Sequence, residues 1–142
     1  MRLVVEHVVD ASPDAVFSVV DDLGRYPSWM GLVHSAETLA ADTWAVQLRA
    51  RIGPLARSKK LTMARVVCEV HRLVRFERRE TDGRSHGDWV LDVTVEPDST
   101  PTRTRLVMVL HYGGRLWSSV VEKVVHDEIE ASKRRLDALL AG

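Results

Sequence analysis

Residues 9–30, VDASPDAVFSVVDDLGRYPSWM, follow a valine-rich N-terminal run and precede a long alternation of apolar and polar residues. Ser12 is placed to cap a helix, where its hydroxyl accepts a hydrogen bond from a free first-turn amide. Pro13 suits the first helical position because its missing N–H has no helical partner there, and Asp14 favours the positive end of the helix dipole. Val16, Phe17, Val20 and Leu23 then recur on one helical face. Gly24 is expected to end that helix, and Tyr26-Pro27-Ser28-Trp29 to form a second short helix or turn.

Upstream of this stretch, Leu3 to Asp10 reads as a strand. Downstream the period changes to two. From Thr43 to Ile52, Trp44, Val46, Leu48, Ala50 and Ile52 fall on one side and Gln47, Arg49 and Arg51 on the other, the pattern of an antiparallel strand with one wet face. Strand-like runs also cover 32–39, 58–70, 73–79, 87–96 and 103–112, separated by turn-forming segments such as Ala41-Asp42, Gly53-Pro54, His71-Arg72, Asp82-Gly83 and residues 97–101. Residues 115–140 return to a helical period without proline or glycine. At ~100° per residue, Trp117, Val121, Val124, Val125, Ile129, Leu136 and Leu139 share a stripe, with Lys123, Asp127, Glu130 and Arg134 opposite. Such a helix buries its stripe on the preceding sheet. The pattern predicts an α+β fold in which a curved, seven-stranded antiparallel sheet grips a long C-terminal helix, with two short helices after the first strand.

The chain has 142 residues, enough to bury a core without disulfides or metal, and is expected to form a single domain over residues 1–142. At 45% hydrophobic and 28% charged residues it has the balance of a globular protein. Cys68 is the only cysteine, so no internal disulfide forms, and it reads as an inert apolar filler. The N-terminal run meets Glu6 and His7 before a signal-type segment develops, and no stretch reaches the ~20 apolar residues that span a bilayer. A cytoplasmic location is the default expectation. Net charge is zero, yet residues 49–84 hold eleven Lys/Arg against four acids. These cations are expected on outward strand faces, with Arg49, Arg51, Arg75 and Arg79 exposed, serving solubility and discouraging edge pairing without a nucleic-acid partner.

The order of elements, the pattern of residues 9–30 (small residue, proline, helix, aspartate, then an aromatic pair around proline) and LHYGGRLW at 110–117 leading into the last helix resemble the SRPBCC helix-grip superfamily of START, birch-pollen-allergen-like and polyketide cyclase/dehydrase proteins. The resemblance implies a cavity between sheet and long helix, whose open end the two short helices close. Tyr26 and Trp29 would then sit at its rim, as ligand contacts or as a plug for the core. Trp44, Met63, Trp89, Met108, Tyr112 and Trp117 are the expected lining.

On the helical wheel, Glu128 falls near the centre of the apolar stripe, with Ser132 one turn above it. A carboxylate facing a core needs a partner or a proton, and Arg65, which shares parity with Leu61 and Met63, is the expected one. This pair reads either as a structural ion pair or as a polar anchor for a ligand. The histidines show no metal-ligand spacing, so no metal is expected. Gly113-Gly114 lacks the rest of a phosphate loop, and no cofactor is implied.

Three function classes follow. One is binding or carriage of a small hydrophobic molecule, lipid-like, polyketide or aromatic, with the cavity as the site. The second, implied by the resemblance, is a cyclase, aromatase or dehydratase in which Tyr26, Arg65, His111 or Glu128 moves protons. The third is an interaction module using the basic strand face. No oligomeric state follows from the sequence.

Overall fold

A computed structural model describes residues 2–113 and 119–141, the side chains of residues 52 and 119–121 aside. Strand β1 (Arg2–Val9) leads into helix α1 (Pro13–Val20) and a 3-10 helix at Leu23–Ser28. Then come β2 (Val33–Ala40), β3 (Thr43–Ile52), β4 (Leu55–Glu69), β5 (Leu73–Arg78), β6 (Trp89–Pro97) and β7 (Thr104–Tyr112), followed by α2 (Ser119–Ala141). The strands form one antiparallel sheet in the order β1-β7-β6-β5-β4-β3-β2. The chain therefore lays its first strand beside its last and leaves β1 and β2 at the two edges.

The caps act locally as the residue types require. Ser12 Oγ accepts from the Ala15 amide at 3.3 Å, with Pro13 in the first turn. α1 stops at Val20 and not at Gly24, because Asp22 caps the 3-10 helix, its Oδ1 accepting from the Gly24 amide at 2.8 Å. Val16, Phe17, Val20 and Leu23 are all buried beneath these two turns.

Bulges bend the longer strands. β4 has one between Arg65 and Val67, and β2 has two against β3, at Val33/Ser35 and Thr38/Ala40. Each extra residue sharpens the local twist and helps the sheet wrap round. The β3–β4 hairpin closes on Gly53-Pro54, with Gly53 at φ 61°, the left-handed conformation that a two-residue hairpin turn demands and glycine supplies without strain. β4 starts at Leu55, three residues before the expected Ser58. That extension has consequences for the site.

α2 presents Val125, Ile129, Ser132 and Leu136 inward, a helical stripe that is buried, while Leu139 is turned out and 46% exposed. Lys123, Asp127 and Arg134 are exposed on the far side. The C-terminal half of α2 is tethered to β1 by His7 Nε2 and Asp137 Oδ1 at 2.7 Å. Cys68 is exposed and not packed inside: it lies at the far end of β4, opposite Val74 of β5. No helix among the described residues is long and apolar enough to cross a membrane.

Candidate ligand cavity

The concave side of the sheet is hollow. Inward side chains line up across strands: Leu3 of β1 pairs with Leu110 of β7, which pairs with Leu91 of β6, and Val5 pairs with Met108, which pairs with Val93. Val93 and Met108 are buried, yet Leu3, Val5, Leu91 and Leu110 stay only half-buried although they point inward. The space they face is a cavity of about 430 Å³. Val125 and Ile129 of α2 line it opposite the sheet, and Leu48, Leu61 and Met63 line it from β3 and β4. Leu23, Tyr26, Met30 and Leu32 close it from the 3-10 helix and the segment that follows.

Among the described lining residues the polar side chains are Tyr26, Arg49, Arg57, Ser58 and Lys59, with no carboxylate and no imidazole. Tyr26 is 1% exposed and its hydroxyl donates to the Val20 carbonyl at 2.8 Å. Burial, reinforced by the Asp21 and Asp22 carboxylates, pushes the phenol far above its ordinary pKa. The proton of Tyr26 is thus committed to the end of α1.

Of the residues singled out from the sequence, Tyr26, Met63, Trp89 and Met108 meet at this cavity. Tyr112 stands behind Trp89, ring centroids 5.5 Å apart. Trp44 belongs to the packed core, edge-on to Phe76 with centroids 5.7 Å apart. Trp29 is buried beside Tyr26 and borders a separate gap near His7, Ser132 and Leu136. Among the described residues its indole N–H has no hydrogen-bond partner. Trp117 lies outside the described residues.

The expected pairing of Arg65 with Glu128 is not formed. Arg65 does share the inward parity, but it lies at the α1 end of β4, where its guanidinium donates to the Asp21 carbonyl at 3.0 Å and to Asp42 Oδ1 at 2.6 Å. Desolvation raises the pKa of the neighbouring Asp21 carboxyl, with Arg65 opposing that rise. Glu128 sits at the margin of the stripe, its side chain 34% exposed, and takes its partner from its own helix, Arg135, at 2.9 Å. Gly31 makes room for it, since a Cβ there would fall 1.7 Å from Glu128 Oε1. Ser132 is the inward member: it is 1% exposed, donates to the Glu128 carbonyl at 2.7 Å and accepts from the Gly31 amide at 3.1 Å. Ser132 fastens α2 to the segment before β2, Glu128 packs against Gly31 of the same segment, and neither lines the main cavity. Replacing Ser132 with Ala is expected to cost about 1–3 kcal/mol, because the Gly31 amide loses its acceptor. Glu128→Gln is expected to cost less than about 1 kcal/mol, since both members of its pair are partly solvated. Urea-unfolding midpoints of the two variants, measured side by side, check this order.

Arg57 and Lys59 were hidden from the sequence reading. The register places Leu48 opposite Lys59 and Ala50 opposite Arg57, so both cations share the face of Val46/Leu61 and Trp44/Met63. Their signal in the sequence is the alternation of β4 followed back to its turn, which sets residues 57 and 59 in phase with Leu61 and Met63. Arg49, Arg51 and Arg79 are exposed as expected, whereas Arg75 is half-buried and bridged to Asp92 at 2.6 Å.

A family model described as polyketide cyclase / dehydrase and lipid transport matches residues 1–141. The chain belongs to this family. Solved structures share its architecture. A conserved protein from Geobacillus kaustophilus superposes with a TM-score of 0.76 at 12% identity, covering 99% of this chain and 95% of its own. A START superfamily protein from Mycobacterium smegmatis gives 0.72 at 17% identity, with 99% and 97% coverage. The Zhui aromatase/cyclase of a Streptomyces species gives 0.66 at 16% identity, with 99% and 94% coverage. At these identities the likeness establishes the helix-grip fold. Among curated proteins no sequence matches the chain.

Proposed function

We propose that this protein binds and carries a small hydrophobic molecule, lipid-like, polyketide or aromatic, in the cavity between the sheet and α2. The observation that carries the reading is the lining: about 430 Å³ of space walled by Leu, Val, Ile, Met and Trp side chains, with its few polar groups drawn from Tyr26 and the β3–β4 hairpin. That volume falls in the range of about 300–1,000 Å³ typical of small-molecule sites. The family's description includes lipid transport, in keeping with such a lining.

The same description and the aromatase/cyclase neighbour also admit catalysis. General acid–base chemistry needs a titratable group within hydrogen-bond reach of the reacting atom. Among the described lining residues there is no carboxylate or histidine, and the Tyr26 proton is held by Val20. Carriage therefore asks nothing of the cavity beyond what it contains, whereas cyclisation would rest its proton transfers on Lys59, the remaining titratable side chain among the described lining residues.

Native mass spectrometry of the purified protein is expected to show a co-purified small molecule. Titration with the neutral fluorophore N-phenyl-1-naphthylamine is expected to enhance probe emission and quench tryptophan, with the quenching reduced in Trp89→Phe because Trp89 borders the cavity. Absence of both a bound mass and any probe response would count against carriage. Conversion of a polyketide chain to a cyclised product would favour the enzymatic reading.

A further inference from the structure

The inward face of the β3–β4 hairpin changes character along its length. Its cross-strand pairs run Trp44/Met63 and Val46/Leu61, which are buried, then Leu48/Lys59 and Ala50/Arg57, before the chain turns at Gly53-Pro54. An apolar ladder thus ends in two cations, on the face that lines the cavity and at the level where the hairpin emerges into solvent. Lys59 is half-buried, its ammonium 5.9 Å from the ring centroid of Trp89 on the cavity wall.

Most of the surrounding basic residues are neutralised. Arg65 bridges to Asp42, Arg72 to Glu69, Arg75 to Asp92, Arg78 to Glu80 and Arg79 to Glu77. Arg57 and Lys59 have no carboxylate within ion-pair distance among the described residues. The residues outside the description carry no acidic side chain. Arg49, which also borders the cavity, is likewise without an acid among the described residues. A cavity whose charged lining groups are all cations favours an anion at its mouth, and the apolar interior favours hydrocarbon behind it.

From this geometry we infer that the ligand is an acidic amphiphile, its apolar body inside the cavity and its carboxylate or similar anionic head held at the mouth by Lys59 and Arg57. The inference rests on the carriage reading and refines it to a ligand class. Lys59 is poised by its contact with Trp89, and Arg57 offers the planar, bidentate donor pair suited to a carboxylate. The apolar body alone would bind a neutral analogue; the two cations make the acid preferred.

The test compares dodecanoic acid with 1-dodecanol, equal in chain length and different in head, by displacement of N-phenyl-1-naphthylamine at low and high salt. The acid is expected to bind the native protein at least ~10-fold more tightly than the alcohol at low salt, a ratio of the size that one hydrogen bond to a charged group gives, and to lose part of that advantage at high salt. In Arg57→Gln/Lys59→Gln, with folding checked by the urea midpoint, the ratio is expected to fall towards one. Equal affinity of acid and alcohol for the native protein overturns the inference, as does an undiminished acid preference in the double variant. Displacement by neither compound, with the probe itself bound, also overturns it while leaving carriage intact; failure of the probe to bind counts against carriage itself. Co-sedimentation with phosphatidylglycerol vesicles that the double variant loses, combined with equal affinity for acid and alcohol, would overturn it by assigning the two cations to a membrane surface.

Discussion

Leu110→Trp is expected to abolish binding of N-phenyl-1-naphthylamine and of any co-purified ligand while leaving the protein folded. Leu110 stands at the centre of the row Leu3–Leu110–Leu91 and is only half-buried although it faces inward. The space before it is the cavity, so an indole there projects into empty volume. A large side chain forced into a packed core costs about 1–3 kcal/mol. Here the added atoms find room, and the unfolding midpoint should change little. The ligand loses that room, and affinity should fall by at least ~100-fold, equivalent to about 2.7 kcal/mol. Fluorescence titration and native mass spectrometry of the variant check the loss, with the urea midpoint as the control for folding. Retained binding would place the ligand elsewhere on the protein.

Phe76→Ala carries the largest expected effect on stability. Phe76 is 0% exposed on β5, edge-on to Tyr26 at 6.1 Å and to Trp44 at 5.7 Å between ring centroids. Deleting its ring removes the contact that Tyr26 and Trp44 share and leaves a hole between two rigid aromatics that cannot collapse into it. Such truncations cost about 3–5 kcal/mol, against a total of about 5–15 kcal/mol for a domain of ordinary stability. Equilibrium urea unfolding is expected to show a marked drop in midpoint. A change below about 1 kcal/mol would mean that this cluster is loosely packed.

Much of the architecture was legible from short-range patterns. The Ser12 cap, the alternation of β3 and the part of the α2 stripe made by Val125, Ile129 and Leu136 each depend on neighbours within a few positions, and each survives in the structure because the rest of the fold agrees with it. Legibility declined where a side chain had to be matched to a distant partner. Arg65 has the parity assigned to it, yet the choice between Asp42 and Glu128 depended on which end of the curved sheet it occupied. Glu128 lay near the middle of the stripe on an ideal wheel, but the roll of α2 on the sheet brought Ser132 inward and left Glu128 against Gly31. Trp44 and Trp89 look alike in an alternating strand; one packs on Phe76 and the other borders empty space.

The sequence by itself determined the order of the elements, the face each strand residue takes and the apolar stripe of α2, because backbone geometry imposes periods of two and about 3.6 whatever the surroundings. Only the tertiary structure decided that the concave face is hollow. Inward-facing leucines have the same pattern whether a helix lies tightly on them or stands off; what holds α2 in place are contacts of its C-terminal half with residues far away in the chain, Ser132 with Gly31 and Asp137 with His7. It likewise decided that Arg57 and Lys59 stand at the mouth of that hollow, since a cation's role follows from where the sheet ends and from which carboxylates come within a few ångströms, and no local period encodes either.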